Sequence, residues 1–145
     1  MAIDVRTAIE IERPRDEVAA LAGDPSNAPA WYRNIKAVEW ETDPPLAVGS
    51  RLRFRAQFLG RTLEYTYEIR ALEPGSSLVM STDRGPFPME TTYTWEDARP
   101  GVTRMTLRNR GAPSGFAAVS APLMARAVRR ATDADLRRLK ALLER

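Results

Sequence analysis

The sequence contains no cysteine and no histidine among its 145 residues. The absence of cysteine excludes disulfides and thiol nucleophiles, and the absence of both residues excludes zinc sites of the usual kind. Without histidine there is no His-based catalytic triad and no side chain that ordinarily titrates near neutral pH. Acid–base chemistry would therefore depend on Asp, Glu, Tyr, Lys or bound water. We predict no metal site and no cofactor.

Long apolar segments are also missing. No apolar run approaches the roughly 18 residues that a membrane-spanning helix needs. The first residues, MAIDVRTAIEIE, alternate between apolar and polar side chains and include acidic groups, which is typical of a strand and not of a signal peptide. We therefore expect a cytoplasmic protein without a membrane span. The length predicts one domain, residues 1–145, with a sizeable core.

Charge of one sign is not concentrated anywhere in the chain. The formal net charge is +3, from 22 basic and 19 acidic residues. The basic residues are spread along the sequence and lie opposite acidic residues on several predicted strands. A nucleic-acid-binding protein typically carries a concentrated basic footprint, so nucleic acid is not an expected partner.

Periodic segments and turn residues together predict the order of the elements. Alternation of apolar and polar residues predicts strands, and a helical period predicts helices. A short helix at 14–23 begins with Pro14, and a second begins with Asp24 as its N-cap and Pro25 in its first turn. The predicted strands are 4–12, 35–42, 51–58, 61–72, 77–83, 89–96 and 102–110.

A hairpin between strands 51–58 and 61–72 is the clearest local prediction. A tight turn at Leu59 and Gly60 would pair Phe58 with Arg61. This register places charges on the outer face and aromatic residues on the inner face, whereas a one-residue slip would bury the charges. We expect the charged pairs to form a solvated ladder and not an acid–base site. The predicted cross-strand pairs are Arg55–Glu64, Arg51–Glu68, Phe54–Tyr65 and Leu52–Tyr67.

The period changes after Pro113 and predicts a long helix over 114–143. Pro122 lies early enough to kink this helix or to separate its first turns. Most of the arginines in the segment fall on the side that should face solvent. The residues that form the expected apolar stripe are Phe116, Val119, Leu123, Ala127, Ala131, Leu136, Leu139 and Leu143.

The predicted order of elements is one strand, two short helices, six strands and a long C-terminal helix. Five segments of the sequence carry this order. These are IEIERPRDEVAALAGDPSNAPAWY, LAVGSRLRFR, EYTYEIRALEPGSSLVMST, GPFPMETTYTWE and APLMARAVRRATDADLRRLKALLE. Together they resemble the START-like superfamily (SRPBCC proteins), in particular its polyketide cyclase/dehydrase-like branch, over nearly the whole chain. The resemblance implies an α+β helix-grip fold, in which a curved antiparallel sheet of about seven strands wraps around the C-terminal helix, with two short helices between strands 1 and 2.

The same resemblance implies a function. Members of the superfamily hold lipids, sterols, plant hormones or polyketides in a hydrophobic cavity between sheet and helix, and some catalyse cyclisation or dehydration. The expected partner is therefore a small hydrophobic or aromatic molecule, polyketide- or lipid-like. Three alternatives stay open: a cyclase- or dehydrase-like enzyme, a non-catalytic carrier or sensor, and a module for a chaperone or other protein partner. A homodimer is also left open.

Polar groups occur repeatedly on the strand faces that should be buried. Burying such a group without a partner would cost about 1–3 kcal/mol. In an ordinary core they would bond to one another or to internal water, whereas in a cavity they would orient a ligand. The residues concerned are Thr7, Tyr65, Tyr67, Thr82, Thr91, Tyr93 and Asn109.

The candidate ligand-binding residues are chosen mainly because the alternation of each strand places them on its buried face. No catalytic residue is assigned. In an enzyme, the tyrosine hydroxyls and Asn109 would polarise a carbonyl or donate a proton. Phe87, between two prolines, is a candidate gate or loop anchor, and Asp83 with Arg84 would reach the cavity mouth. Phe58 and Met105 would add apolar wall. Trp31, where the two short helices meet the sheet, is either a structural plug or a site residue. The candidates are Trp31, Phe54, Tyr65, Tyr67, Met80, Thr82, Met89, Thr91, Tyr93, Asn109 and Met124.

Overall fold

Seven antiparallel strands form one curved sheet in the computed structural model of the protein. In spatial order the strands are β1-β7-β6-β5-β4-β3-β2, so that β1 and β2 form the two edges. This arrangement confirms the helix-grip fold that the resemblance implies. The strands are β1 (Ile3–Ile11), β2 (Ile35–Trp40), β3 (Arg51–Phe58), β4 (Arg61–Glu73), β5 (Ser77–Thr82), β6 (Met89–Arg99) and β7 (Val102–Gly111).

The structure describes residues 3–58, 60–82, 88–112 and 120–145, without the side chain of Phe58. Several predictions therefore lie outside the described residues. They concern the turn residue Leu59, the wall residue Phe58, the mouth residues Asp83 and Arg84, the loop residue Phe87, and the helical stretch 114–119 with Phe116 and Val119.

Two short helices interrupt the path from β1 to β2, as predicted. Asp24 caps the second of these segments, because its Oδ1 accepts a hydrogen bond from the Ser26 amide at 3.0 Å. Pro25 follows in the first position, where its missing N–H is not needed. Pro14 is the N-cap of the first helix and not its first residue. The elements are α1 (Arg15–Ala22), a 3-10 turn (Pro25–Asn27) and α2 (Ala28–Trp31).

The C-terminal helix α3 (Ala121–Leu143) packs against β1 and α2. Pro122 lies in its first turn, where proline is tolerated, and not inside the helix. Leu136 and Leu139 are fully buried, as the apolar stripe predicts. Within the part of the chain that the structure describes, no helix is both long and apolar enough to cross a membrane.

The prediction that Leu123 faces the core was wrong, since its side chain is 67% exposed. The buried face of α3 includes two polar residues, Thr132 and Asp135, which an apolar stripe omits. These residues continue the face that Met124 and Val128 begin against β1. The apolar pattern therefore misplaced Leu123, whereas Ala127 and Ala131 of the same predicted stripe line the space between the helix and the sheet.

The predicted register of the β3–β4 hairpin is confirmed. Each of the four expected cross-strand pairs, two charged and two aromatic or apolar, lies directly opposite in the sheet. The ion pairs on the outer face nevertheless use other partners: Arg51 lies 3.9 Å from Glu41, and Glu68 lies 2.8 Å from Arg70. Both pairs are exposed and contribute little to stability.

Two clusters of buried apolar residues form the core. The larger includes Trp31, Phe54, Leu136 and Met105, and it joins the concave face of the sheet to all three helices. Met105 is fully buried there, which corrects the prediction that it forms cavity wall. The smaller cluster centres on Ile3 with Val5 and Ala121, near the start of α3.

Truncating two leucines of α3 tests the orientation of the helix. Leu136→Ala should lower the free energy of unfolding by about 2–5 kcal/mol, because it leaves a cavity in a fully buried site. Leu123→Ala should change it by less than about 0.5 kcal/mol, because that side chain is exposed. Urea unfolding followed by circular dichroism measures both. Equal losses would show that the first turns of α3 are packed like the last.

Candidate functional site

A cavity of about 300 Å³ lies between the concave face of the sheet and helix α3. Six consecutive strands in spatial order, from β7 to β2, contribute side chains to it, and α3 closes the other side. Inward-facing residues alternate with outward-facing ones along each strand, so the alternation in the sequence predicts which residues form the wall of the cavity. The wall draws residues from both core clusters, so the cavity separates them.

Ten of the eleven candidate residues line this cavity. The exception is Trp31, which is 1% exposed and belongs to the larger core cluster. Its ring packs against Tyr32, with centroids 4.2 Å apart, and against Tyr93 at 5.9 Å. The ten are Phe54, Tyr65, Tyr67, Met80, Thr82, Met89, Thr91, Tyr93, Asn109 and Met124.

The exclusion of Trp31 has a local cause. Helix α2 ends at this residue, and the backbone of Tyr32 is extended, so the next side chain takes a different direction. Tyr32 therefore reaches the cavity while Trp31 supports it from behind. The chain has four tyrosines, and all four line the cavity.

A chain of hydrogen bonds joins three strands across one side of the wall. The Thr91 hydroxyl donates to Oδ1 of Asn109 at 2.7 Å. A hydroxyl has one hydrogen, so the 3.3 Å bond between Tyr67 and Thr91 has Tyr67 as its donor. Among the described residues, the amide Nδ2 of Asn109 and the hydroxyl of Tyr65 have no hydrogen-bond partner. These two groups remain available to a ligand.

A second polar cluster joins β6 to the segment before β2. The hydroxyl oxygens of Tyr32 and Tyr93 are 2.5 Å apart, and either can donate. Burial is the main cause that raises the pKa of each hydroxyl, and the carboxylate of Asp135 adds to the effect. Burial likewise raises the pKa of Tyr65 and Tyr67. The tyrosines of the cavity therefore stay neutral over the physiological range.

Asp135 is among the polar or charged cavity residues that sequence reasoning missed, as are Tyr32 and Thr132. It projects from α3 and is 3% exposed. Its Oδ1 accepts hydrogen bonds from the amide of Arg33, at 3.2 Å, and from the guanidinium of Arg138. Nε of Arg138 also donates to the carbonyl of Trp31 at 3.0 Å. These bonds fasten the segment that carries Tyr32 to the C-terminal helix.

A signal for Asp135 was present in the spacing of the helix. Thr132 and Asp135 precede Leu139 by seven and four residues, which places them on the same face as that fully buried leucine. Burial raises the pKa of Asp135, while the Arg33 amide and the Arg138 guanidinium act in the opposite direction. Thr7, the remaining polar candidate, bonds to Thr132 at 3.3 Å and lies outside the cavity wall.

An alkaline titration tests the burial of the four tyrosines. Each hydroxyl holds its proton more tightly in the folded than in the unfolded chain. Its contribution to stability is therefore present below the ordinary pKa of about 10 and is lost as the pH rises above it. We expect tyrosinate absorbance to appear together with alkaline unfolding, monitored by circular dichroism. Tyrosinate formed near the ordinary pKa with the circular dichroism unchanged would contradict this result.

The family described as "Polyketide cyclase / dehydrase and lipid transport" matches residues 2–144. The chain belongs to this family. The match spans all seven strands and all three helices of the structure. It confirms the START-like resemblance of the sequence. No curated protein sequence matches the chain significantly.

Solved structures share the fold of this chain. A START superfamily protein from Mycobacterium smegmatis aligns with a TM-score of 0.84 at 13% identity, covering 97% of each chain. TTHA0849 from Thermus thermophilus aligns with a TM-score of 0.82 at 17% identity, covering 97% of this chain and 96% of its own. The Zhui aromatase/cyclase from Streptomyces sp. R1128 aligns with a TM-score of 0.80 at 18% identity, covering 98% and 93%.

Proposed function

We propose that the protein binds a small hydrophobic or aromatic molecule in the cavity between the sheet and α3. The observation that carries the proposal is the lining, which combines apolar and aromatic side chains with a few polar groups that have unused hydrogen-bonding capacity. Sites of this composition are typical of small-molecule binding, and a volume of about 300 Å³ is at the lower end of their range. We therefore propose that the ligand is small and that the protein binds it in the cytoplasm.

Two groups of wall residues would contact the ligand, one through apolar surface and one through hydrogen bonds. Phe54, Met80, Met89 and Met124 supply an apolar surface, and the flexible methionines adapt to ligand shape. The hydroxyl of Tyr65, whose ring stacks on Phe54 with centroids 5.9 Å apart, would donate a hydrogen bond. The family description supports a polyketide-type or lipid-like ligand, and the aromatase/cyclase among the similar structures favours an aromatic one.

The four tyrosines of the cavity are poorly suited to general acid–base catalysis near neutral pH. General acid–base catalysis is most effective when the pKa of the group lies near the working pH. Burial moves the pKa of all four tyrosines away from that range. Any catalysis would therefore rest on holding a flexible chain in a folded pose and on polarising a carbonyl through neutral hydroxyls.

Filling the cavity tests the proposal. Ala131 lines it from α3, so Ala131→Phe should weaken binding of the neutral fluorescent probe N-phenyl-1-naphthylamine by at least about tenfold. Ala141→Phe makes the same change on the exposed side of the helix and should leave binding unaltered. Fluorescence titration gives the dissociation constants, and circular dichroism checks the fold. Equal binding by both variants would place the probe elsewhere.

Ligand recovered from the native source separates a carrier from an enzyme. Native mass spectrometry of the protein purified from its own host should reveal a co-purifying small molecule. A carrier is stabilised against heat by that molecule and releases it unchanged. In an enzyme, Tyr65→Phe combined with Tyr67→Phe should lower turnover far more than stability. Unchanged turnover in the double variant would discard hydroxyl polarisation as the mechanism.

A further inference from the structure

Asp135 is the one charged side chain among the described residues that line the cavity. Its side chain is 5% exposed, and its Oδ1 already accepts two hydrogen bonds. Among the described residues, its other oxygen, Oδ2, has no hydrogen-bond partner. Because Asp135 as a whole is buried, this oxygen keeps little of its hydration, and a hydrogen-bond donor from whatever occupies the cavity would compensate for that loss.

The neighbouring pair of tyrosines supplies the complementary group. One hydroxyl of Tyr32 and Tyr93 donates to the other, which leaves one O–H hydrogen of the pair without an acceptor among the residues that the structure describes. Both residues line the same cavity as Asp135. The cluster thus presents one free donor and one free charged acceptor, which is the complement of a hydroxyl group, since a hydroxyl both accepts and donates.

We propose that Tyr32, Tyr93 and Asp135 form a subsite for a neutral hydroxyl group, so that the cavity selects hydroxylated hydrophobic or aromatic molecules over the corresponding carboxylates. The inference rests on the proposed binding function and names the class of ligand. A phenol or alcohol donates to Asp135 in a charge-assisted bond, which is stronger than a neutral one. A ligand carboxylate would bring a second negative charge into the same apolar cavity and would be repelled.

Two positive charges, of Arg33 and Arg138, act on Asp135, but neither side chain lines the cavity. The guanidinium of Arg138 pairs with Asp135 and also donates to the carbonyl of Trp31, and it does not line the cavity. The described lining contains no lysine or arginine. A ligand anion would therefore find no cationic partner along this wall.

Three probes that share one ring system test the subsite: naphthalene, 2-naphthol and 2-naphthoic acid at neutral pH, where the phenol is neutral and the acid is ionised. Competition against N-phenyl-1-naphthylamine gives the three dissociation constants. We expect 2-naphthol to bind at least about tenfold more tightly than 2-naphthoate, and more tightly than naphthalene. Tight binding of naphthoate would overturn the subsite and leave the proposed function intact. Failure of all three probes to bind would overturn both.

Two variants assign the discrimination to named groups. Asp135→Asn keeps the side-chain shape and an acceptor for the Arg33 amide but removes the charge, so the naphthoate-to-naphthol ratio of dissociation constants should approach one. Asp133→Asn is the matched control, because it makes the same change on α3 at a carboxylate that pairs with Arg137 outside the cavity. An unchanged ratio in Asp135→Asn would overturn the inference.

The double variant Tyr32→Phe with Tyr93→Phe tests the donor. It removes both partners of one hydrogen bond, so it leaves no unpaired hydroxyl and should be well tolerated. The advantage of 2-naphthol over naphthalene should shrink, while naphthalene binding stays close to that of the unmodified protein and reports an intact cavity. A full naphthol advantage in this variant would rule out the tyrosine pair as the donor.

Discussion

The connection between helix α3 and the segment that links α2 to β2 is the constraint on which the site depends. Asp135 and Arg138, three residues apart on the helix, bond to two backbone groups of that segment. They also pair with each other, so removing either one would leave a buried charge or backbone group without its partner, which is strongly destabilising. Because this connection holds the backbone beside Tyr32, it also sets the position of the hydroxyl pair with Tyr93.

The four tyrosines make the cavity wall polar without adding any charge of their own. The rings of Tyr65 and Tyr67 pack against each other and against Phe54. Three of the four hydroxyls have partners within the wall, since Tyr67 bonds to Thr91 and Tyr32 bonds to Tyr93, so their burial carries little cost. Burial in turn suppresses ionisation, so these groups act as hydrogen-bond donors and acceptors. This combination suits recognition of a neutral molecule better than proton transfer.

Alternation along the strands made most of the wall predictable. The β3–β4 register follows from one requirement, that arginine and glutamate face water while Phe54 and Tyr65 face inward, and only one register meets it. Once the strands are aligned, parity alone assigns Tyr67, Thr91 and Asn109 to the concave face. The turn and cap residues, such as Asp24, act within a few residues of themselves and are therefore readable without a structure.

What the sequence determined by itself was local: the elements, their order, the hairpin register and the inward face of each strand. The tertiary structure alone decided that Leu123 faces solvent, that Trp31 supports the cavity from outside, and that Tyr32 and Asp135 meet within it. A strand has only two faces, so its pattern specifies which one is buried. The rotation of a helix against a sheet is set by contacts between residues far apart in sequence. A buried carboxylate such as Asp135 has a partner outside its own helix, so the pattern of apolar residues along that helix does not by itself predict that it is buried.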